Sequence, residues 1–256
     1  MYKKLLRLIK KILIELRVWE LYKKVFGKDK GNPLNQNLLK EGSVFYENFI
    51  KSGDLVFDVG ANYGNRVEVF LNLKANIVAV EPQQKCVNYL RKAYQNINIE
   101  QVGLGEKEEV KLFYEADNSV LSTFSDSYIE KVKNTRHKTS VWKKSKKIQI
   151  TTLDNLIKKY GNPVFIKIDV EGYEYEVLKG LTRKSGVVSF EYNIPELKDE
   201  LINCLDLLRN ANYNQFNFSL GESMKFGQEW KNYEDFRNGI SSGEFKMSNF
   251  GDIYAR

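Results

Sequence analysis

The 256 residues carry 42% hydrophobic and 29% charged side chains, which excludes wholesale disorder and suffices for one large domain with its own core. The longest strictly apolar run, Ile77-Val78-Ala79-Val80, is far too short to cross a bilayer as a helix. Two widely separated cysteines, Cys86 and Cys204, and a single histidine, His137, exclude a disulfide scaffold, a cysteine zinc site and a multi-histidine metal centre, and point to a reducing, cytoplasmic setting.

The formal net charge of +7 is unevenly placed. Residues 1–30 hold ten Lys and Arg against three acids, so the other 226 residues balance at 30 against 30. Within that balance Lys131–Lys147 carries eight basic residues and no acid, which leaves the rest at −8. A mildly acidic body with two basic additions is a poor fit to a phosphate-tracking surface, so nucleic acid is disfavoured as a partner.

Residues 1–40 read as a basic, amphipathic helical extension ahead of a domain over 41–256. Leu5, Leu8, Ile9, Ile12, Leu13 and Leu16 fall on one helical stripe, and Lys3, Lys4, Arg7, Lys10, Lys11 and Arg17 fall on the other side. The charges interrupt the apolar residues too often for a cleavable signal peptide. Two readings fit: docking of the stripe on its own domain or on a twin subunit in a homo-oligomer, and an interfacial helix over residues 1–26 drawn to anionic lipid at the inner face of the membrane.

From residue 54 onward strand and helix signals alternate. Strands are predicted at Leu55–Phe57, Ile77–Val80, Ile97–Val102, Val110–Tyr114, Ile148–Thr151, Val164–Ile168, Val187–Tyr192, Tyr213–Phe218 and Asp252–Tyr254. Helices are predicted around Val67–Leu71, Val87–Tyr94, Leu153–Ile157 and Pro195–Arg209. This pattern predicts an α/β fold with a mostly parallel sheet covered by helices on both faces, whose ligands sit at the carboxyl ends of the strands. The polar, then basic stretch 116–147 reads as an insert or lid that recognises an acceptor.

Chemistry concentrates in the loops at those strand ends. Asp58-Val-Gly60-Ala-Asn62-Tyr-Gly64 is a glycine turn leading into a helix, with an acid two residues before the first glycine. That acid would repel a pyrophosphate and suits an amine- or sulfonium-bearing ligand, which disfavours a nicotinamide dehydrogenase. Glu81, ending the second strand, stands where an acid accepts hydrogen bonds from ribose hydroxyls. Together they describe an adenosyl ligand with a positively charged tail, a description S-adenosylmethionine fits. Asp169-Val-Glu171-Gly172 follows another strand, and Glu191 ends the next.

The segment Phe165–Gly180, with its Asp169-Val-Glu171-Gly172-Tyr-Glu174 core, resembles the hallmark of the FkbM family of S-adenosylmethionine-dependent methyltransferases. The Asp58–Gly64 turn, Thr151-Thr152-Leu153-Asp154 and Gly103-Leu104-Gly105 resemble that family's other motifs, and the likeness extends over about residues 45–256. It leaves out the first 40 residues and Lys131–Lys147. The resemblance implies a class I methyltransferase (Rossmann-like) fold: a seven-stranded sheet with its last strand antiparallel. It implies that Asp58, Gly60, Asn62 and Gly64 flank the methionyl part of the cofactor, Glu81 the ribose, and that Leu104 belongs to the cofactor site. It also implies O-methylation of a hydroxyl, on a sugar in glycan assembly or on a natural product.

The Asn/Asp-Pro-Pro-aromatic motif of base N-methyltransferases is missing, and Asp169-Val-Glu171-Gly172 stands in its place. An RNA methyltransferase and a non-catalytic, membrane-recruited protein of the same fold are the rival readings. For the chemistry, Asp169 is the first candidate base, with Glu171 and Glu191 next, since clustered carboxylates raise one another's pKa toward neutrality. The same cluster has the oxygen donors of a divalent-cation site. Glu171 alternatively serves as a helix-start acid, and His137 as a base on a mobile loop.

Overall fold

The computed structural model describes residues 36–256, so the basic stripe of residues 1–26 lies outside the described residues. The first described element, helix α1 (Gln36–Tyr46), runs across position 40, where the sequence suggests a boundary. Its Tyr46 is buried against Phe70 and Phe165, and Phe45 against Phe226 and Tyr254, which makes the helix part of the core.

Strands β1 (Leu55–Val59), β2 (Asn76–Val80) and β3 (Asn98–Glu100) are joined by α2 (Asn65–Asn72) and α3 (Gln84–Ala93). Next come β4 (Gly103–Leu104), β5 (Glu109–Ala116), α4 (Asp126–Val132) and β6 (Trp142–Thr151). Then α5 (Leu153–Tyr160), β7 (Phe165–Ile168), α6 (Glu174–Lys179), β8 (Val187–Asn193) and α7 (Lys198–Asn210) continue the alternation. The chain closes with β9 (Gln215–Leu220), β10 (Lys231–Asn232), α8 (Tyr233–Ser242) and β11 (Phe250–Ala255).

The main sheet runs β10-β9-β11-β8-β7-β1-β2-β3. Strands β3, β2, β1, β7 and β8 are parallel neighbours, and β11 is antiparallel to both β8 and β9. The antiparallel last strand agrees with the class I arrangement. The count differs: eight strands stand where seven were expected, because the two-residue β10 adds an edge beside β9. A second sheet of three strands, β4-β6-β5, takes up Val110–Tyr114 and Ile148–Thr151.

Parallel strands buried on both faces read as near-continuous apolar runs, as β1 (LVFDV), β2 (NIVAV) and β7 (FIKI) do. Alternation sends Phe57, Val59, Ile166 and Ile168 into one core with Leu153, Val177, Leu201 and Leu205. Val56, Phe165, Ile77 and Ala79 join the other with Phe45, Tyr46, Val67 and Phe70. The main exceptions in this second layer are polar: Asp58 and Lys167, paired neighbours on β1 and β7, stand on that same face and are buried.

The 116–147 stretch carries regular structure. It holds a 3-10 turn (Ser119–Leu121), helix α4 and the first half of β6, whose Lys143 pairs with Glu115 across the hairpin. Tyr128, Val132 and Leu197 form a small core of their own, which fastens α4 to the start of α7. Lys131 bonds Glu200 at 2.5 Å on the same contact.

Phe165 lies at the centre of an aromatic layer with Tyr46, Phe49 and Phe70. Phe165→Ala should destabilise the fold by about 3–5 kcal/mol in urea unfolding, as large-to-small changes at fully buried aromatic positions do.

Candidate active site

The chain builds β1, β2 and β3 outward in one direction, then returns to lay β7 and β8 on the other side of β1. Strand order therefore reverses between β1 and β7, and the crevice at their carboxyl ends is the natural ligand site of such a sheet. Gly60 and Asp169 meet there. The Asp169 N–H donates to Val59 O at 2.9 Å, and a Cβ on Gly60 would lie 1.8 Å from Asp169 O. Only glycine, with φ +84°, allows the two strand ends to come this close.

One cleft opens at this point and takes in Gly60, Asn62, Glu81, Leu104, Asp169 and Glu171, six of the nine residues singled out from sequence. Apolar side chains Val80, Val102, Phe113 and Phe124 complete one wall. Asp58 lies beneath the turn, 2% exposed, with its Oδ2 unpartnered among the described residues. Gly64 lies behind the turn; a Cβ there would come within 2.6 Å of the Tyr94 ring, so its role is to let α2 pack on α3. Asn62, in a left-handed conformation at φ 47°, donates its N–H to Glu81 Oε2 at 2.8 Å. Gln83 N–H donates to Glu81 Oε1 at 2.7 Å. Burial raises the Glu81 carboxyl from its ordinary 4.5 to about 7 in spite of these donors. Burial likewise lifts Asp58 from 3.8 to about 7, against the pull of Lys167 and Arg66.

Asp169 and Glu171 line the cleft, and with Glu191, which does not line it, they place one carboxylate oxygen each within 4.8 Å of one another. Each is steadied from a different direction. Lys167 Nζ approaches Asp169 Oδ2 at 3.4 Å, the Tyr128 hydroxyl donates to Glu171 Oε2 at 2.7 Å, and Asn193 Nδ2 donates to Glu191 Oε2 at 2.9 Å. Burial, then the Asp169 charge, pushes Glu171 well above the usual carboxylate range; burial, Asp169 and Glu171 do the same to Glu191. Glu171 adopts φ 55°, uncommon for a residue with a side chain, and Gly172 beside it leaves room for the Tyr128 ring.

A family model described as the methyltransferase FkbM domain matches residues 58–215, from the buried acid of β1 to the start of β9. The chain belongs to the FkbM methyltransferase family. Its cofactor is S-adenosylmethionine, and it is an S-adenosylmethionine-dependent methyltransferase. Among solved structures it is similar to a TehB-like methyltransferase from Corynebacterium glutamicum (8% identity, 94% of this chain and 95% of that chain, TM-score 0.43). It is also similar to S-adenosylmethionine-dependent methyltransferases from Archaeoglobus fulgidus (13% identity, 93% and 98%, TM-score 0.41) and Aquifex aeolicus (13% identity, 89% and 95%, TM-score 0.41). No curated protein matches the sequence.

The residues of the methyltransferase fit this cofactor. Each Glu81 oxygen takes one backbone N–H and keeps a lone pair for a ribose hydroxyl. The Val80, Val102, Leu104, Phe113 and Phe124 wall suits a flat heteroaromatic ring. The orphaned Asp58 oxygen complements a cation.

Several members of the site were not visible in the sequence. Lys167 is fully buried in β7; burial alone would lower its pKa, but Asp169 and Asp252 hold the ammonium above its ordinary range, with Asp252 Oδ1 at 2.9 Å. The 116–147 insert serves both ends of the cleft. Its Ser119 and Ser122 line the cofactor end and are tied to Gln83, whose Nε2 donates to Ser119 O at 3.1 Å and whose Oε1 accepts from the Ser122 hydroxyl at 3.2 Å. At the carboxylate end, Arg136 donates to Asn193 Oδ1 at 2.9 Å and Ile194 O at 2.8 Å and pairs with Glu196. It thereby fixes the amide that holds Glu191. Glu174 is buried and accepts from the Val170 and Gly172 N–H groups at 3.0 and 3.3 Å, closing the Asp169–Gly172 loop. That is the helix-start role weighed for Glu171. His137 sits in the turn after α4, its N–H bonded to Val132 O at 3.0 Å.

Two outcomes follow for the ligand-free enzyme. Glu81 and Asp58 bind their protons more tightly folded than unfolded, so their contribution to stability is complete below about pH 4 and is lost as pH rises through about 7. The melting temperature should therefore fall between pH 5 and 8, and Glu81→Gln with Asp58→Asn should flatten that slope. Gly60→Ala, which drives a Cβ into the Asp169 carbonyl, should abolish S-adenosylhomocysteine binding in calorimetric titration.

Proposed function

We propose that the enzyme is an O-methyltransferase whose acceptor is a sugar hydroxyl, in surface-glycan or natural-product assembly. The observation that carries the reading is the convergence of Asp169, Glu171 and Glu191 at the switch point, the first two lining the cleft that also takes in Gly60, Asn62 and Glu81. Carboxyl groups in pairs are good partners for the vicinal hydroxyls of a sugar, and a wall of them opposes a phosphate backbone, which favours this reading over RNA.

S-adenosylmethionine supplies an already activated methyl group on a positively charged sulfur. What the chain must add is position and a proton acceptor. Asp169 is the base: it lies at the end of β7 with its side chain 35% exposed, within 3.4 Å of the Lys167 ammonium, and lines the cleft beside Gly60. A sugar hydroxyl is a very weak acid, so Asp169 takes its proton as the new C–O bond forms. Glu171 and Glu191, whose pKa values are raised, hold neighbouring hydroxyls and set the angle of approach.

Asp169→Asn keeps the side-chain volume and the backbone bond to Val59 and removes the base. It should lower turnover on a sugar acceptor by about 10²–10⁴-fold while S-adenosylhomocysteine affinity stays within about threefold. Full activity of this variant would eliminate Asp169 as the base.

A further inference from the structure

The methyltransferase cleft lies at the carboxyl ends of the strands, and a second groove opens near their amino ends. It has a volume of about 490 Å³ and is lined by Asp154 and Lys158 of α5, by Asn162 just before β7, and by Arg183, Lys184 and Ser185 just before β8. It shares no lining residue with the cleft. Asp169 follows the far end of β7, so roughly 13 Å of strand separates the two.

The chemistry of this groove is one-sided. Lys158, Arg183 and Lys184 are exposed, and no acid pairs with any of them among the described residues. Lys159, the next residue along α5, does find an acid, Glu100. The lining carboxylate, Asp154, is already engaged: the Thr182 N–H and hydroxyl donate to it at 3.2 and 2.5 Å. The Ser185 hydroxyl is buried with no hydrogen-bond partner among the described residues, which native proteins rarely leave so.

The cations also stand on a fixed backbone. Asp154 holds the 181–186 loop at Thr182, and Tyr213 holds it at Ser185. The Tyr213 hydroxyl accepts from Ser185 N–H and donates to Ser185 O, both at 3.0 Å. Lys184 Nζ lies over the same ring, 5.4 Å from its centre. Like charges gathered round one concavity repel one another until a counter-charge arrives. Cations, an amide and a hydroxyl, with the carboxylate occupied, select an anion rich in oxygens, and two linked phosphoryl groups can meet all three cations. The volume is that of a small-molecule site.

The geometry points to a second ligand site here, for the diphosphate group of a small molecule or of a lipid headgroup, held by Lys158, Arg183 and Lys184 apart from methyl transfer.

The test is calorimetric titration of the full chain with pyrophosphate at fixed salt, with and without saturating S-adenosylhomocysteine. Wild type should bind pyrophosphate saturably under both conditions and more tightly than sulfate. The double variant Lys158→Gln with Arg183→Gln should weaken pyrophosphate about tenfold or more and leave S-adenosylhomocysteine within about twofold. Both side chains are exposed and unpaired among the described residues, so the variant keeps its fold. Lys92→Gln with Lys225→Gln removes the same charge from exposed positions elsewhere and should leave pyrophosphate within about twofold. Sedimentation with phosphatidylcholine vesicles carrying a polyprenyl diphosphate then separates the two sources. A loss in the Lys158/Arg183 variant assigns the groove to a headgroup, and unchanged sedimentation beside weakened pyrophosphate assigns it to a soluble diphosphate. Absence of saturable pyrophosphate binding in wild type overturns the inference. So does binding that survives in the Lys158/Arg183 variant, that falls equally in the Lys92/Lys225 variant, or that S-adenosylhomocysteine displaces.

Discussion

A single buried ammonium makes the rest of the site tenable. Lys167 stands in the middle of the sheet with no exposed surface, bonded to Asp252 and within reach of Asp169, with Asp58 beside it in register. Acids crowded near strand ends repel one another at low dielectric. The ammonium, together with Arg66, offsets part of that repulsion for Asp58. It also divides the carboxylates by position: Asp169 has the ammonium, while Glu171 and Glu191 have only neutral donors, Tyr128 and Asn193. Carboxyls given different environments can take different roles, one accepting a proton while the others hold hydroxyls.

Those neutral donors depend on the insert. Tyr128 comes from α4, and Asn193 is oriented by Arg136 from the turn that follows it. The methyltransferase core supplies the carboxylates, and the insert decides where two of them aim. Ser119 and Ser122, from the start of the same insert, reach Gln83 at the cofactor end. One segment therefore contacts both ends of the cleft, and a small core with Leu197 holds its helix against α7.

What was legible in the sequence is what local chemistry dictates. Asp58–Gly64 and Asp169–Gly172 declare themselves because a strand, a sharp turn and a helix follow within a few residues, and glycine is required where backbones approach. The alternating pattern likewise reveals the mostly parallel sheet, whereas the antiparallel last strand was implied only by the family resemblance. What was not legible depends on partners distant in sequence. A lysine in Phe165-Ile-Lys-Ile168 gives no sign of its ion pair with Asp252, 85 positions on. Tyr128 meets Glu171 across 43 positions, and Arg136 meets Asn193 across 57. The first half of β6 is a run of lysines with no apolar alternation; its strand character comes from β5 opposite, where Glu115 faces Lys143. The two-residue β10 has no sequence signature at all.

The ribose end of the cleft is arranged before any ligand arrives. Glu81 is tied there by two backbone donors, and the insert serines are bonded to Gln83. Beneath the turn Asp58 Oδ2 has no hydrogen-bond partner among the described residues, and burying it so costs the free enzyme stability. One part of the site is thus prepared through satisfied donors and the other through an acceptor left unsatisfied.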